Sequence, residues 1–137
     1  MTLKNKVALI TGAGRGIGKA VATAYARAGA NLALCARTAS ELDQTVVELR
    51  ALKVEVEGRV CDVSLEDPVR EFVGAAHRKF DRVDILVNNA GVMTRPAPIT
   101  ELDVKKWDYT MAVNLRGPFL ITQAVLPIMI KQKARSI

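Results

Sequence analysis

One junction limits the possible folds more than any other feature. Val7 to Ile10 is a short unbroken apolar run, and it leads straight into "TGAGRGIGKA", residues 11–20, with four glycines and two cations in ten positions. An apolar run of that length, closed by Thr11-Gly12, reads as a buried strand. Past the glycines, Ile17, Val21, Ala24, Tyr25 and Ala28 fall on one helical face, and Gly29 stands where a helix stop is expected. A strand that turns on glycines into an amphipathic helix calls for a second strand beside the first.

The rest of the chain repeats that alternation. Asn31 to Ala36 reads as a second strand, and Thr38-Ala39-Ser40-Glu41 matches a capping box. The helix it opens carries Leu42, Val46, Leu49 and Leu52 on its inner face. Val54, Val56 and Val60 alternate with polar residues, which suggests a third strand at an edge. Ser64 starts the next helix, with Pro68 in its first turn and Val69, Phe72, Val73, Ala76 and Phe80 as its buried stripe. Asp84 to Val87 is a fourth strand, followed at once by "NNAG". After a loop with Pro96 and Pro98, helical segments run from about Asp103 and from about Arg116 to Lys131. Alternating strands and helices need crossover connections, so the sheet is parallel with helices on both faces. Right-handed crossovers then favour a Rossmann-type, doubly wound α/β sheet with strands in the order 3-2-1-4.

Length and composition exclude several function classes. A chain of 137 residues, half of them hydrophobic and a quarter charged, is one ordinary globular domain. Its net charge of +6 is scattered, densest at Lys131, Lys133 and Arg135, where cations suit the negative end of a helix dipole. No basic stripe interleaved with aromatics appears, so a small polyphosphate ligand fits the charge better than nucleic acid. Cys35 and Cys61 are too few and too far apart in sequence for a disulfide framework or a zinc site, and read as reduced buried thiols. The apolar stretch of "MTLKNKVALI" is too short for a secretory signal, and "GPFLITQAVLPIMI" is too short to span a bilayer. These readings place the chain in the cytoplasm, without a membrane or a metal.

Glycines beside a cation suggest phosphate, and the spacing decides which kind. A triphosphatase P-loop needs G-x-x-x-x-G-K-[ST]. Gly18-Lys19 supplies its middle, but Ala13 stands five before Gly18 and Ala20 replaces the magnesium-binding hydroxyl. The common dinucleotide fingerprint G-x-G-x-x-G also fails, because its third glycine falls on Ile17 or Lys19. What fits is a longer turn with glycines at 12, 16 and 18. Gly12 lets the chain leave the strand tightly, Gly16 lets a pyrophosphate approach the backbone, and Gly18 lets the helix pack close to the sheet. A pyrophosphate would rest on the free amides at the helix start.

Four separated landmarks, "TGAGRGIG" (11–18), "CDV" (61–63), "NNAG" (88–91) and "VNLRGPF" (113–119), make this sequence resemble the short-chain dehydrogenase/reductase family, particularly its 3-oxoacyl-carrier-protein reductase-like members. The resemblance runs from about Lys6 to the last residue. It implies a cofactor site built from Thr11, Gly12, Arg15, Gly16, Ile17, Gly18, Arg37, Thr38, Asp62, Val63, Asn88, Ala90 and Gly91. Within that set, Asp62 would accept from the adenine amino group, Val63 would line the adenine pocket, and Asn88, Ala90 and Gly91 would floor the ribose. Read from the residues alone, Asp62 could equally cap a strand end or the next helix, and "NNAG" could be only a tight turn. Asn114 would interrupt an apolar helix, where a buried amide needs hydrogen bonds. The resemblance makes Asn114 a catalytic tetrad member that bends the helix and holds a water in a proton relay.

The end of the second strand bears on the cofactor. A site for NAD(H) would put a carboxylate there, against both ribose hydroxyls. This chain has Ala36-Arg37-Thr38, with no carboxylate until Glu41, and Arg37 could grip a 2′-phosphate with two parallel hydrogen bonds. Arg15 could approach the same phosphate from the other side, so NADP(H) is favoured over NAD(H).

Reduction of a carbonyl also needs a proton donor beside its oxygen. The resembled family uses a tyrosine with a lysine four residues on, and a serine. Here Gly29 follows Tyr25 by four and Val113 follows Tyr109 by four, so there is no Y-x-x-x-K. Ser40, Ser64 and Ser136 look like caps or strand-entry residues, and His77 reads as solvated. The sequence closes on "KARSI", where the resemblance expects a fifth strand to begin, so the chain is expected to carry the cofactor-binding half of an oxidoreductase acting on a small carbonyl or alcohol. The alternative is a non-catalytic dinucleotide-binding or interaction module. An apolar flank on strand four and an exposed face on the last helix, which packs against its mate in dimers of this family, imply a homo-oligomer.

Overall fold

The computed structural model describes residues 2–133 and 136–137. The elements run β1 (Val7–Thr11), α1 (Gly16–Arg27), β2 (Asn31–Ala36), α2 (Ala39–Arg50), β3 (Val56–Val60), α3 (Glu66–Phe80), β4 (Ile85–Val87), α4 (Val104–Met111) and α5 (Gly117–Lys131). A single turn of 3₁₀ helix, Ile99–Glu101, precedes α4, and a π-helical segment, Ala112–Arg116, joins α4 to α5. All strand pairs are parallel, in the order β3-β2-β1-β4. This is the doubly wound Rossmann-type sheet that the alternation predicts, with β3 at an edge.

Both faces of the sheet are covered, which is why β1 and β2 read as unbroken apolar runs. Ala8, Ile10, Leu32 and Leu34 face α1 and α2 and meet Ala22, Ala26, Leu42 and Leu49. Leu9, Ala33 and Leu86 face the other way, onto Phe72 and Val69 of α3 and Ile121, Val125 and Met129 of α5.

Helix α1 centres its buried face on small residues, with Val21 and Tyr25 of the expected stripe packed at its flank. Gly18, Ala22 and Ala26 are buried, whereas Ile17 is 76% exposed. Small residues spaced by four let the helix axis approach the sheet closely, and that gain in contact outweighs burying a few bulkier side chains. Leu52 is also exposed, because it lies two residues past the end of α2. Nor does the capping box form. Thr38 is the N-cap of α2 but makes no side-chain cap bond, and Glu41 lies toward Arg15 instead, 3.8 Å away.

The C-terminal part also differs from expectation. The π segment joins α4 and α5 into one helical run, Val104–Lys131, of 28 residues. By length and composition that run could cross a bilayer, unlike the 117–130 stretch alone. Its apolar residues Leu120, Ile121, Val125 and Met129 are spent on the core, however. Lys131 occupies the last turn of α5, and Arg135 lies outside the described residues. The outer edge of β4 is partly covered. Ser136 forms a parallel bridge to Ile85, donating to the Asp84 carbonyl at 3.1 Å and accepting from the Leu86 amide at 2.9 Å. A segment therefore pairs where a fifth strand was expected. Exposed apolar surface remains on the helices, where Trp107, Leu115 and Phe119 are 50%, 62% and 59% exposed.

Candidate functional site

The carboxyl ends of β1, β2 and β3 and the turn after β4 surround a cavity of about 270 Å³, open to solvent. Such a position, where the chain crosses from one side of β1 to the other, is where doubly wound sheets bind ligands. Its lining comes from the glycine turn (Gly12, Gly14, Arg15, Gly16), the end of β2 (Ala36, Arg37, Thr38), Glu41, Cys61-Asp62-Val63, residues 89–92 and Val113.

The glycines of the turn have separate physical jobs. Gly12 and Gly16 adopt φ +66° and +58°, in the left-handed region that penalises a Cβ. A Cβ on Gly18 would sit 2.2 Å from the Gly12 carbonyl oxygen and 2.5 Å from Asn89 Nδ2, so only glycine allows α1 this close. A Cβ on Gly16 would meet nothing within 4 Å, so its open side faces free space. Arg15, the N-cap of α1, supplies no side-chain acceptor. The first turn of α1 thus has no side-chain cap, and its first residue, Gly16, lines the cavity, an arrangement that suits an anion. Lys19, which a P-loop would aim at phosphate, instead pairs with Glu48 of α2 at 2.7 Å. The bond holds the Glu48 carboxyl below its ordinary range.

The turn is braced from β4. Thr11, buried, accepts through Oγ1 from the amides of Asn89 and Ala90 at 3.1 and 3.0 Å. Asn89 Nδ2 in turn donates to the carbonyls of Thr11 and Gly12 at 3.0 and 3.1 Å. Asn89 thus locks the glycine turn, a role the sequence reading missed although it singled out both neighbours. The available signal was strand alternation, which sends adjacent asparagines to opposite sides. Asn88 indeed points the other way, its amide donating to Thr122 Oγ1 at 3.2 Å on α5. Of the expected cofactor residues, Thr11, Ile17, Gly18 and Asn88 lie off the cavity, and the other nine line it. Val92, Cys61 and Glu41 line it as well, outside the expected cofactor set.

Asp62 makes a local turn ahead of α3 and also borders the cavity. One oxygen, Oδ1, accepts from the Ser64 amide at 2.9 Å and its hydroxyl at 2.7 Å, forming a turn that ends two residues before α3. The residue still faces the cavity. Asn114 lies in the π segment and is exposed rather than buried. Its side chain clasps Val92, accepting from the amide and donating to the carbonyl, each at 2.7 Å. That pair ties the loop after β4 to the long helix.

Cys35 and Cys61, remote in sequence, are neighbours across β2 and β3, both free and buried. The neighbouring Cys61 thiol, together with burial, pushes the Cys35 thiol up. His77 is half-buried, not solvated. It flanks the α3 stripe one turn past Val73, with Nδ1 enclosed and lacking a hydrogen-bond partner.

At the ribose end the two expected arginines have different partners. Arg15 lies 3.8 Å from the Glu41 carboxylate. Among the described residues Arg37 enters no ion pair. Its Nη1 donates to the Tyr109 hydroxyl of α4, and its guanidinium carbon lies 5.8 Å from the centre of the Tyr109 ring.

Known proteins share this arrangement. The short chain dehydrogenase family model matches residues 6–137. The chain is 42% identical over its whole length to the 3-oxoacyl-(acyl-carrier-protein) reductase FabG of Thermotoga maritima, of which it covers 55%. NAD+-bound xylitol dehydrogenase superposes with a TM-score of 0.95 at 32% identity, over 98% of this chain and 52% of that one. A metagenomic short-chain oxidoreductase in complex with NADP gives 0.92 at 37% identity, over 98% of this chain and 61% of that one. The chain spans about half the length of the relatives it matches. With the glycine turn, the parallel sheet and the family match in agreement, the chain belongs to the short chain dehydrogenase family.

Proposed function

We propose that the cavity holds NADP(H) and that the protein is an NADP(H)-dependent oxidoreductase interconverting a small carbonyl compound and its alcohol. A nicotinamide dinucleotide supplies or accepts the hydride. The chain's own residues bind and orient it. The uncapped amides of α1 and the open side of Gly16 suit the pyrophosphate, Asp62 and Val63 the adenine, and Ala90 and Gly91 the ribose.

The choice of NADP(H) rests on one observation. Arg37 stands at the end of β2 beside the cavity, and its partner is a neutral phenol instead of a carboxylate. A guanidinium that keeps its full charge attracts a dianionic 2′-phosphate, whereas an acidic residue at this place would repel it. Fluorescence titration should show NADPH binding tighter than NADH, with Arg37→Asp reversing the order by about tenfold or more, the scale of one charge-assisted contact. An unchanged preference in that variant overturns the assignment.

Asn114 belongs to the catalytic machinery in this reading. Its clasp on Val92 fixes the loop beside the cavity, and Asn114 holds a water in the proton relay. The exposed Leu115 and Phe119, beside the half-buried Met111, form an apolar strip along the long helix that supports self-association through this face. Light scattering should then report a dimer or larger that Phe119→Asp dissociates, and a stable wild-type monomer would refute it. Two reduced, buried thiols fit a cytoplasmic setting.

A further inference from the structure

Tyr109 has no part in the site described so far, yet it is the residue that holds Arg37. The two are 72 positions apart, one just past β2 at the cavity and the other near the end of α4, so the contact ties the cavity rim to α4. We infer that Tyr109 is a positioning and specificity residue. It holds the Arg37 guanidinium at the cavity rim, ready for the 2′-phosphate of the dinucleotide, and so sets the preference for the phosphorylated cofactor.

The chemistry of the contact supports this role. An arginine in an exposed loop loses much rotamer freedom when it is fixed on a ligand. A partner that holds it beforehand removes part of that loss. Tyr109 does this through a hydroxyl that accepts one N–H and a ring whose face lies under the cation. A guanidinium has five N–H donors, so one bond to a phenol leaves a pair for phosphate. The phenol is also neutral, so it orders Arg37 without cancelling its charge. Arg15 shows the contrast, for the Glu41 carboxylate near it offsets its charge. Of the two arginines at the cavity, the one held by tyrosine is thus the one whose charge is available.

The inference rests on the NADP(H) reading, and the test separates the two. Dissociation constants for NADPH and NADH are measured by fluorescence titration on wild type, Tyr109→Phe, Tyr109→Asp and Arg37→Asp. Tyr109→Phe keeps the ring and removes only the acceptor. It should weaken NADPH about fivefold, the worth of one hydrogen bond, and leave NADH within twofold. Tyr109→Asp places a carboxylate against Arg37 and should weaken NADPH further, again sparing NADH. If Tyr109 serves only the packing of α4, both variants shift the two cofactors equally or shift neither. That result, with Arg37→Asp still reversing the preference, overturns the role of Tyr109 alone. If wild type does not prefer NADPH and Arg37→Asp changes nothing, the cofactor reading fails and this inference fails with it.

Discussion

The two ends of the central strands are built on opposite principles. At the amino end, Asp84 just before β4 is a buried carboxylate whose bonds are all answered locally. Its Oδ2 accepts from the Val7 amide at 2.9 Å and from Arg82 Nε at 2.8 Å, its Oδ1 accepts from Arg82 Nη2, and Lys6 Nζ lies 3.6 Å away. At the carboxyl end, the buried Thr11 hydroxyl and the Asn89 amide satisfy the backbone of the turn, but the uncapped start of α1 at Gly16 and the Arg37 charge border an open cavity. One end of β1 closes its electrostatics, and the other leaves positive potential for something to fill. The difference teaches where stability and binding separate in this molecule.

The sharpest attack on that separation is at the glycine turn. Gly18→Ala puts a Cβ 2.2 Å from a carbonyl oxygen, so α1 must move off the sheet. It should cost about 3 kcal/mol or more in thermal or urea unfolding and abolish dinucleotide binding as well. Gly16→Ala is its foil. With nothing within 4 Å of the new Cβ, only the left-handed φ is penalised, about 1–2 kcal/mol. The protein should stay folded while dinucleotide affinity drops at least tenfold. Equal stability losses in the two variants would erase the distinction between packing and binding glycines.

A smaller effect is expected at the amino end. Asp84→Asn should destabilise the fold by about 2 kcal/mol, near the low end for bonds to a buried charge because Arg82 and Lys6 are partly in solvent. Cofactor affinity should not change. Burial works against the Asp84 charge, but the Arg82 bond, the Val7 amide and Lys6 outweigh it, so the carboxyl sits below its ordinary value. A group whose pKa is depressed on folding stabilises fully above the unfolded value of about 3.9, and loses that contribution as pH falls through the lower folded value. Acid unfolding should therefore be less steep below about pH 4 in Asp84→Asn than in wild type. Parallel acid curves for the two proteins would show that Asp84 is not the clamp described.

Much of this was legible in the residues, and the exceptions share a cause. The α2 and α3 stripes were readable because each is a wide apolar band at helical spacing, and Leu42, Val46, Leu49, Val69, Phe72 and Val73 are all buried. Helix α1 was read off-centre because close contact with a sheet selects small residues, so Val21 and Tyr25 only flank the buried Gly18, Ala22 and Ala26. The capping box failed because Glu41 had another cation in reach once Arg15 was placed across the turn. Asn89 was missed since its acceptors, the carbonyls of Thr11 and Gly12, lie at the end of β1 and in the turn after it, far away in sequence.

The sequence by itself determined the order of elements, the 3-2-1-4 sheet and the seating of the glycine turn at its carboxyl edge. Those follow from periodicity, glycine placement and the handedness of crossovers, which act within one or two elements. Only the tertiary structure decided which face of α1 is buried, that two cysteines become neighbours, and that Tyr109 meets Arg37. Contacts of that kind depend on where packing sets two distant chain segments in space, and no local pattern encodes the distance between them.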